Sequence, residues 1–317
     1  MKTFYYFYIV ILFFLGTNSM AQIKWHVMGD PVVLTPEGNY FQQPVCSPDG
    51  KKIAITGRNY AGIWVMDANG DNLQQITQDP GAGYQMLWSG NSKEIIGRAI
   101  KYEGHRRIFQ IKAYNIAQKG ARVLTTIRSS LFTVPKLTPD RNLIYFRTRQ
   151  GLQIINYAIP KSTTTSLFSG QIVFPTAQGI NIANRDGKVL RSLKPVPGTY
   201  LNLTVSPDGQ QVAFEVLGGH MFVVNLTEGT WQDLGAGERP HWSPDSQWLV
   251  YMITHDDGHQ ILNSDIYIIK IDGSGKKPLT VSDEGIEMDP DFSPDGKYIV
   301  YGERKSGRIF RLNLVHQ

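Results

Sequence analysis

The stretch Asp291-Phe292-Ser293-Pro294-Asp295-Gly296-Lys297-Tyr298-Ile299-Val300-Tyr301 decides the fold, because its pattern returns along the whole chain. Ser-Pro-Asp-Gly recurs at Ser47 and Ser206, Ser-Pro-Asp-Ser stands at Ser243, and weaker copies begin at Ser89 (Ser-Gly-Asn-Ser) and Thr138 (Thr-Pro-Asp-Arg). Each residue has a mechanical role: Pro fixes φ for the second position of a type I turn, Asp bonds back to nearby backbone, and Gly accepts a left-handed exit. The alternation that follows (Ile53, Ile55; Val212, Phe214; Leu249, Tyr251; Ile299, Tyr301) is the period-2 signal of a strand with one face toward an apolar neighbour.

Further runs complete a unit. Ile63 to Asp67, Met221 to Asn225 and Ile266 to Lys270 supply a third strand, and segments ending in Ile76-Thr77, Leu124-Thr125 and Leu279-Thr280 supply a fourth. Four antiparallel strands per repeat predict an all-β protein, a β-propeller of four-stranded blades. One gap, from Thr138 to Ser206, is too long for a single blade. Within it Gln171 to Leu193 reads as a degenerate blade without the Ser-Pro-Asp turn, which gives seven blades; if it elaborates the third, the count is six. The last repeat, from Glu287, holds only three strands, and an incomplete blade leaves an edge that recruits other chains. Pro31-Val32-Val33-Leu34-Thr35 matches a fourth strand, so the N-terminal segment is expected to complete the last blade.

Residues 1–21 read as a secretory signal: Lys2, an apolar core from Thr3 to Leu15, and the small-x-small site Ser19-Met20-Ala21. The mature chain, a single propeller domain over 22–317, then begins at Gln22, exported and not lipidated, since no Cys follows the cleavage site. The apolar run is too short to span a bilayer comfortably, so no stable membrane insertion is expected after cleavage. Cys46 is the only cysteine, which excludes an internal disulfide and leaves stability to packing. The formal net charge of +5 is modest and scattered, which argues against nucleic acid as a partner.

With its repeated Ser-Pro-Asp-Gly, the strands after it and the closing Leu-Thr, the stretch from about Pro44 to Leu314 resembles the propeller of the TolB family. The resemblance implies a periplasmic protein of the bacterial cell envelope that uses its propeller to hold another protein, as TolB holds the peptidoglycan-associated lipoprotein. TolB proteins also carry an α/β domain ahead of the propeller, for which the short stretch from Gln22 to the first turn offers no counterpart.

Strand alternation places the Ser-Pro-Asp turns on one face and the irregular loops on the other, where binding is usually built. Candidate binding residues on that face and at the channel mouth are Arg58, Tyr60, Tyr84, His105, Arg106, Tyr200, Arg239, His241, His255, His259, Glu287 and Asp289. Tyr and Arg are the types that anchor interfaces. His255-Asp256-Asp257-Gly258-His259 has metal-ligand types at a spacing that matches no metal motif, and its Asp-Asp-Gly is better read as a turn. No metal or cofactor is expected. Neither Gly-x-Ser-x-Gly nor His-Glu-x-x-His occurs, and no catalytic residue is assigned. The expected function is a non-catalytic scaffold, a monomer whose partner is an envelope protein or peptide. The alternative is an acidic-sugar lyase or glycan-binding propeller using channel histidines and aromatics such as Tyr84 and Tyr200, since the propellers of oligogalacturonate lyases are also similar.

Overall fold

The computed structural model describes residues 25–128, 130–157 and 170–316; the expected signal, 1–21, lies outside them. Among these residues the strands form seven separate antiparallel sheets, the blades of a propeller. Blade one runs Phe41–Cys46, Lys52–Gly57, Ile63–Asp67, Gln74–Thr77, and blade two Leu87–Trp88, Glu94–Glu103, Arg106–Asn115, Ala121–Ile127. Blades three (from Lys136–Leu137) and four (from Ile172–Thr176) show three described strands each; blades five (from Tyr200–Val205) and six (from Glu238–Trp242) show four.

The turns form for the reason the sequence suggests. In blade seven the Ser293 hydroxyl donates to Asp295 at 2.8 Å and accepts the Tyr298 N–H at 3.1 Å, while Asp295 accepts the Lys297 N–H at 3.1 Å. The same triangle recurs at Ser47, Ser206 and Ser243. It also recurs at the weaker copies, where Asn91 takes the place of Asp and Thr138 that of Ser. The exit residue is left-handed throughout: Gly50, Gly209 and Gly296, but also Ser92, Arg141 and Ser246. The two serines have a compensating contact, since their hydroxyls accept the N–H of Asp49 and Asp208 from the preceding blade at 3.1 and 3.2 Å.

The second strand of each blade differs from the expectation of one apolar face. Ile53, Ala54 and Ile55 are all fully buried. Ile53 and Ile55 pack on Tyr298 and Val300 of blade seven, whereas Ala54 packs on Met86, Trp88 and Ile95 of blade two. Alternate side chains therefore serve opposite neighbours, and period 2 becomes a continuous apolar run because both faces are covered. Seven such clusters, one per blade interface, close the ring.

Closure follows the expected route with a longer strand. Trp25–Val33 pairs antiparallel with Arg308–His316 as the outermost strand of blade seven, bulging between Met28 and Val32. Leu34 and Thr35 extend the join, with Leu34 N–H to Ile309 O at 2.8 Å and Ile309 N–H to Thr35 Oγ1 at 3.0 Å. Trp25 is buried against Trp248 and Phe292, so the N-terminal strand also fills the interface of blades six and seven. Among the described residues no helix is long and apolar enough to cross a membrane.

Candidate functional site: the channel and its mouth

The inner strands surround a channel of about 520 Å³, within the range of ligand pockets. Four residues before the motif serine, five blades place a left-handed residue that is not glycine, in the inner strand or, for Gln85, in the turn leading into it: Gln43 (φ 49°), Gln85 (φ 48°), Asn202 (φ 48°), Arg239 (φ 52°) and Asp289 (φ 55°). In blades one, five, six and seven the pairing register slips at this point. A bulge re-aims the side chain it carries, and here all five polar side chains line the channel.

These residues hold one another. Gln43 Oε1 accepts the Gln85 N–H at 3.1 Å, and Gln85 Nε2 donates to Asn202 Oδ1 across the channel at 3.3 Å. Asn202 Nδ2 in turn donates to both oxygens of buried Glu215, at 2.9 and 3.1 Å, and the Arg239 N–H donates to the same carboxylate. Burial raises the Glu215 carboxyl above its ordinary range against these donors. The Arg239 guanidinium pairs with Asp289. Burial alone would lower the Arg239 pKa, but the Asp289 carboxylate outweighs it and holds the arginine above its ordinary value.

Aromatic rings cover this pair. Tyr60, itself left-handed at φ 57°, sits edge-on to Tyr84 with centroids 4.8 Å apart. Such a backbone in an aromatic residue costs about 1–3 kcal/mol and persists only where the surroundings fix it; here its carbonyl accepts the Gly83 N–H at 3.2 Å. Burial raises the Tyr60 phenol, with Arg239 pulling down and Asp289 pushing up. The Arg98 guanidinium lies 4.9 Å from the Tyr84 ring and 5.0 Å from that of Phe109, and Arg58 lies 4.4 Å from the Tyr40 ring. Two residues deeper, His241 Nδ1 lies 3.1 Å from Asp291 Oδ1, whose other oxygen accepts the Cys46 N–H at 2.8 Å.

Of the residues singled out from sequence, Tyr60, Tyr84, Arg239 and Asp289 come together at the mouth, with His241 below them and Arg58 at the rim. The others do not join them. Tyr200 is buried in blade five, its ring 4.6 Å from Phe214. His105 and Arg106 lie on the exposed hairpin of blade two, and His255 and His259 on that of blade six. Glu287 lines a second cavity, of about 410 Å³, where burial and then Asp265 push its carboxyl up to about 7 while Ser282 Oγ lies 3.2 Å away.

Gln43, Gln85, Asn202, Lys136 and Asp291 line the channel, with Glu215 bonded behind Asn202, and loop composition did not single them out. For all but Glu215 the signal was available as a polar residue four places (Gln43, Gln85, Asn202) or two places (Lys136, Asp291) ahead of a motif serine or threonine. The motif serines themselves are fully buried and committed to their turns, which removes them as nucleophiles. Among the described residues no group of three or more His, Cys, Asp and Glu is placed to hold a metal.

No family model matches the chain. Among solved structures, TolB from Acinetobacter baumannii superposes with a TM-score of 0.55 at 19% identity, covering 80% of this chain. The match takes in 57% of that TolB chain. The Cps50 (Swd1) β-propeller domain of Myceliophteria thermophila superposes with a TM-score of 0.62 at 10% identity, over 90% of this chain and 99% of the other. The shared feature is the fold. This chain is a seven-bladed β-propeller, similar in architecture to TolB and to the Swd1 propeller.

Proposed function

We propose that the protein is an exported, non-catalytic scaffold of the cell envelope, and that its propeller binds a protein or peptide at the mouth of the channel. The carrying observation is the Tyr60–Tyr84 pair over the Arg239–Asp289 ion pair, beside five left-handed residues in or just ahead of the inner strands. Preorganised Tyr and Arg groups at the centre of a concave face are what interface anchors consist of. The likeness to TolB supports the same reading. The acidic-sugar alternative gains nothing from the histidines, because His105, His255 and His259 stand on exposed hairpins and, among the described residues, His241 alone lines the channel. In this proposal residues 1–21 direct export, and N-terminal sequencing of the periplasmic or secreted form should read from Gln22; recovery of intact Met1 in cytosol would sink that part.

The mouth is tested with a partner captured from envelope extract and then titrated in purified form. Tyr60→Ala and Tyr84→Ala should each weaken binding about 30-fold, the scale of an interface anchor. His105→Ala and His259→Ala, on the hairpins, should leave it unchanged. Equal loss from the hairpin variants, or none from the tyrosines at unchanged melting temperature, would reject the mouth.

A further inference from the structure

Below the mouth, the inner strands present one residue each at the position two before the motif serine. Blades one, two and five offer Val45, Leu87 and Thr204, and blades six and seven offer the paired His241 and Asp291. Blade three offers Lys136, from the short strand Lys136–Leu137. Its ammonium has no ion pair and no hydrogen-bond partner among the described residues, although every other charged group at these two levels of the channel is engaged. Arg239 is paired with Asp289, and Asp291 with His241 and the Cys46 N–H. The stretch 158–169, which follows blade three, contains no acidic residue.

A cation placed in a protein-walled channel without a counter-charge is costly, and the protein could avoid it with an apolar side chain, as blades one and two do at the same position. Desolvation alone lowers the Lys136 amine to about 8. The same blade supplies a second cation without an ion pair: Arg141, whose Nη1 donates to Trp88 O at 2.8 Å, lines the turn-face end of the channel, lowered by burial against the pull of the Asp291 carboxylate. One wall of the channel is therefore cationic. The blades opposite carry Asp289 and Asp291, which disfavours a multiply charged anion such as phosphate and leaves room for a single negative charge.

We propose that the channel receives a carboxylate of a bound peptide, a C-terminus or an acidic side chain, with Lys136 as its counter-ion. The inference rests on the mouth being the docking site, and it specifies which group of the partner passes inside. The entering chain replaces the Gln85 to Asn202 hydrogen bond that spans the mouth. A salt bridge formed there restores the charged form of Lys136, so binding takes up a proton at alkaline pH and weakens as pH rises above about 8.

The test uses defined probes on the whole protein: triglycine, triglycine amide and galacturonate, with Lys136 followed by ¹³C NMR after reductive dimethylation. Triglycine at millimolar concentration should raise the apparent Lys136 pKa by one unit or more, and the amide should not. Lys136→Met should weaken triglycine binding at least tenfold, with Lys136→Arg recovering part of it. An amine titrating near 10.5 that no probe moves, or triglycine binding that survives in Lys136→Met, would overturn the proposal. Galacturonate binding without triglycine binding would overturn it in favour of a sugar acid. Because these probes are independent of any envelope partner, failure of the tyrosine variants above with an intact Lys136 response would reject the docking site alone.

Discussion

Lys136 illustrates how a single residue carries functional information through its cost. Its amine loses water on folding and gains no partner, so the folded chain binds fewer protons than the unfolded chain between about pH 8 and the ordinary lysine range near 10.4. The penalty is complete below pH 8 and disappears as pH rises through that window. Lys136→Met should therefore stabilise the protein at pH 7, by about 1–2 kcal/mol because the channel leaves the amine partly hydrated, and the gain should vanish near pH 11. Denaturant melts at both pH values check this, and a gain that persists unchanged at pH 11 would contradict the desolvation argument. The turn residues show the opposite case, in which local chemistry made the role legible. Ser, Asp and the left-handed exit act within five positions of one another, so their bonds could be read directly from Ser293 to Tyr298. The meeting of Arg239 with Asp289, 50 positions apart, depends on two bulges and on ring closure, and loop composition could indicate the face but not the pairing.

At the level of elements, strand period and turn chemistry delimited the blades that carry the turn and left the one without a Ser-Pro-Asp turn open between a seventh blade and an elaboration of the third, which its separate sheet decides for seven. They misjudged the second strands, since an alternating pattern does not reveal that a blade is covered on both sides. They also placed Tyr200 at the mouth, although its position at the start of an inner strand turns the ring onto Phe214. The first described strand was legible only through its Pro31 to Thr35 half, yet Trp25–Val33 pairs along the whole outer edge of blade seven. Removing residues 22–36 deletes that pairing and the buried Trp25, a loss of several kcal/mol on the scale of a large core residue. The truncated protein should melt at lower temperature, lose amide protection in residues 308–314 and associate through the exposed edge. A monomer with unchanged melting would show that this strand is dispensable for closure.

For the whole molecule, the ring divides labour between its two faces. The turn face repeats one hydrogen-bonded motif and holds the blades in register, whereas the opposite face collects positions where local rules are broken: Tyr60 and Asn59 in left-handed conformations and the bulged inner strands, with Lys136 lining the channel below them. Departures of this kind concentrate where function is built. These departures predict that a partner seats on this face, over the channel. Site-specific photocrosslinking tests it most directly, with p-benzoylphenylalanine placed at exposed Arg58 beside Tyr60, at exposed Lys51 on the turn face, or at His259 on the blade-six hairpin. Irradiation in envelope extract should yield a discrete adduct from position 58 alone, abolished when Tyr84→Ala is added; adducts from position 51 or 259 with none from 58 would contradict the claim.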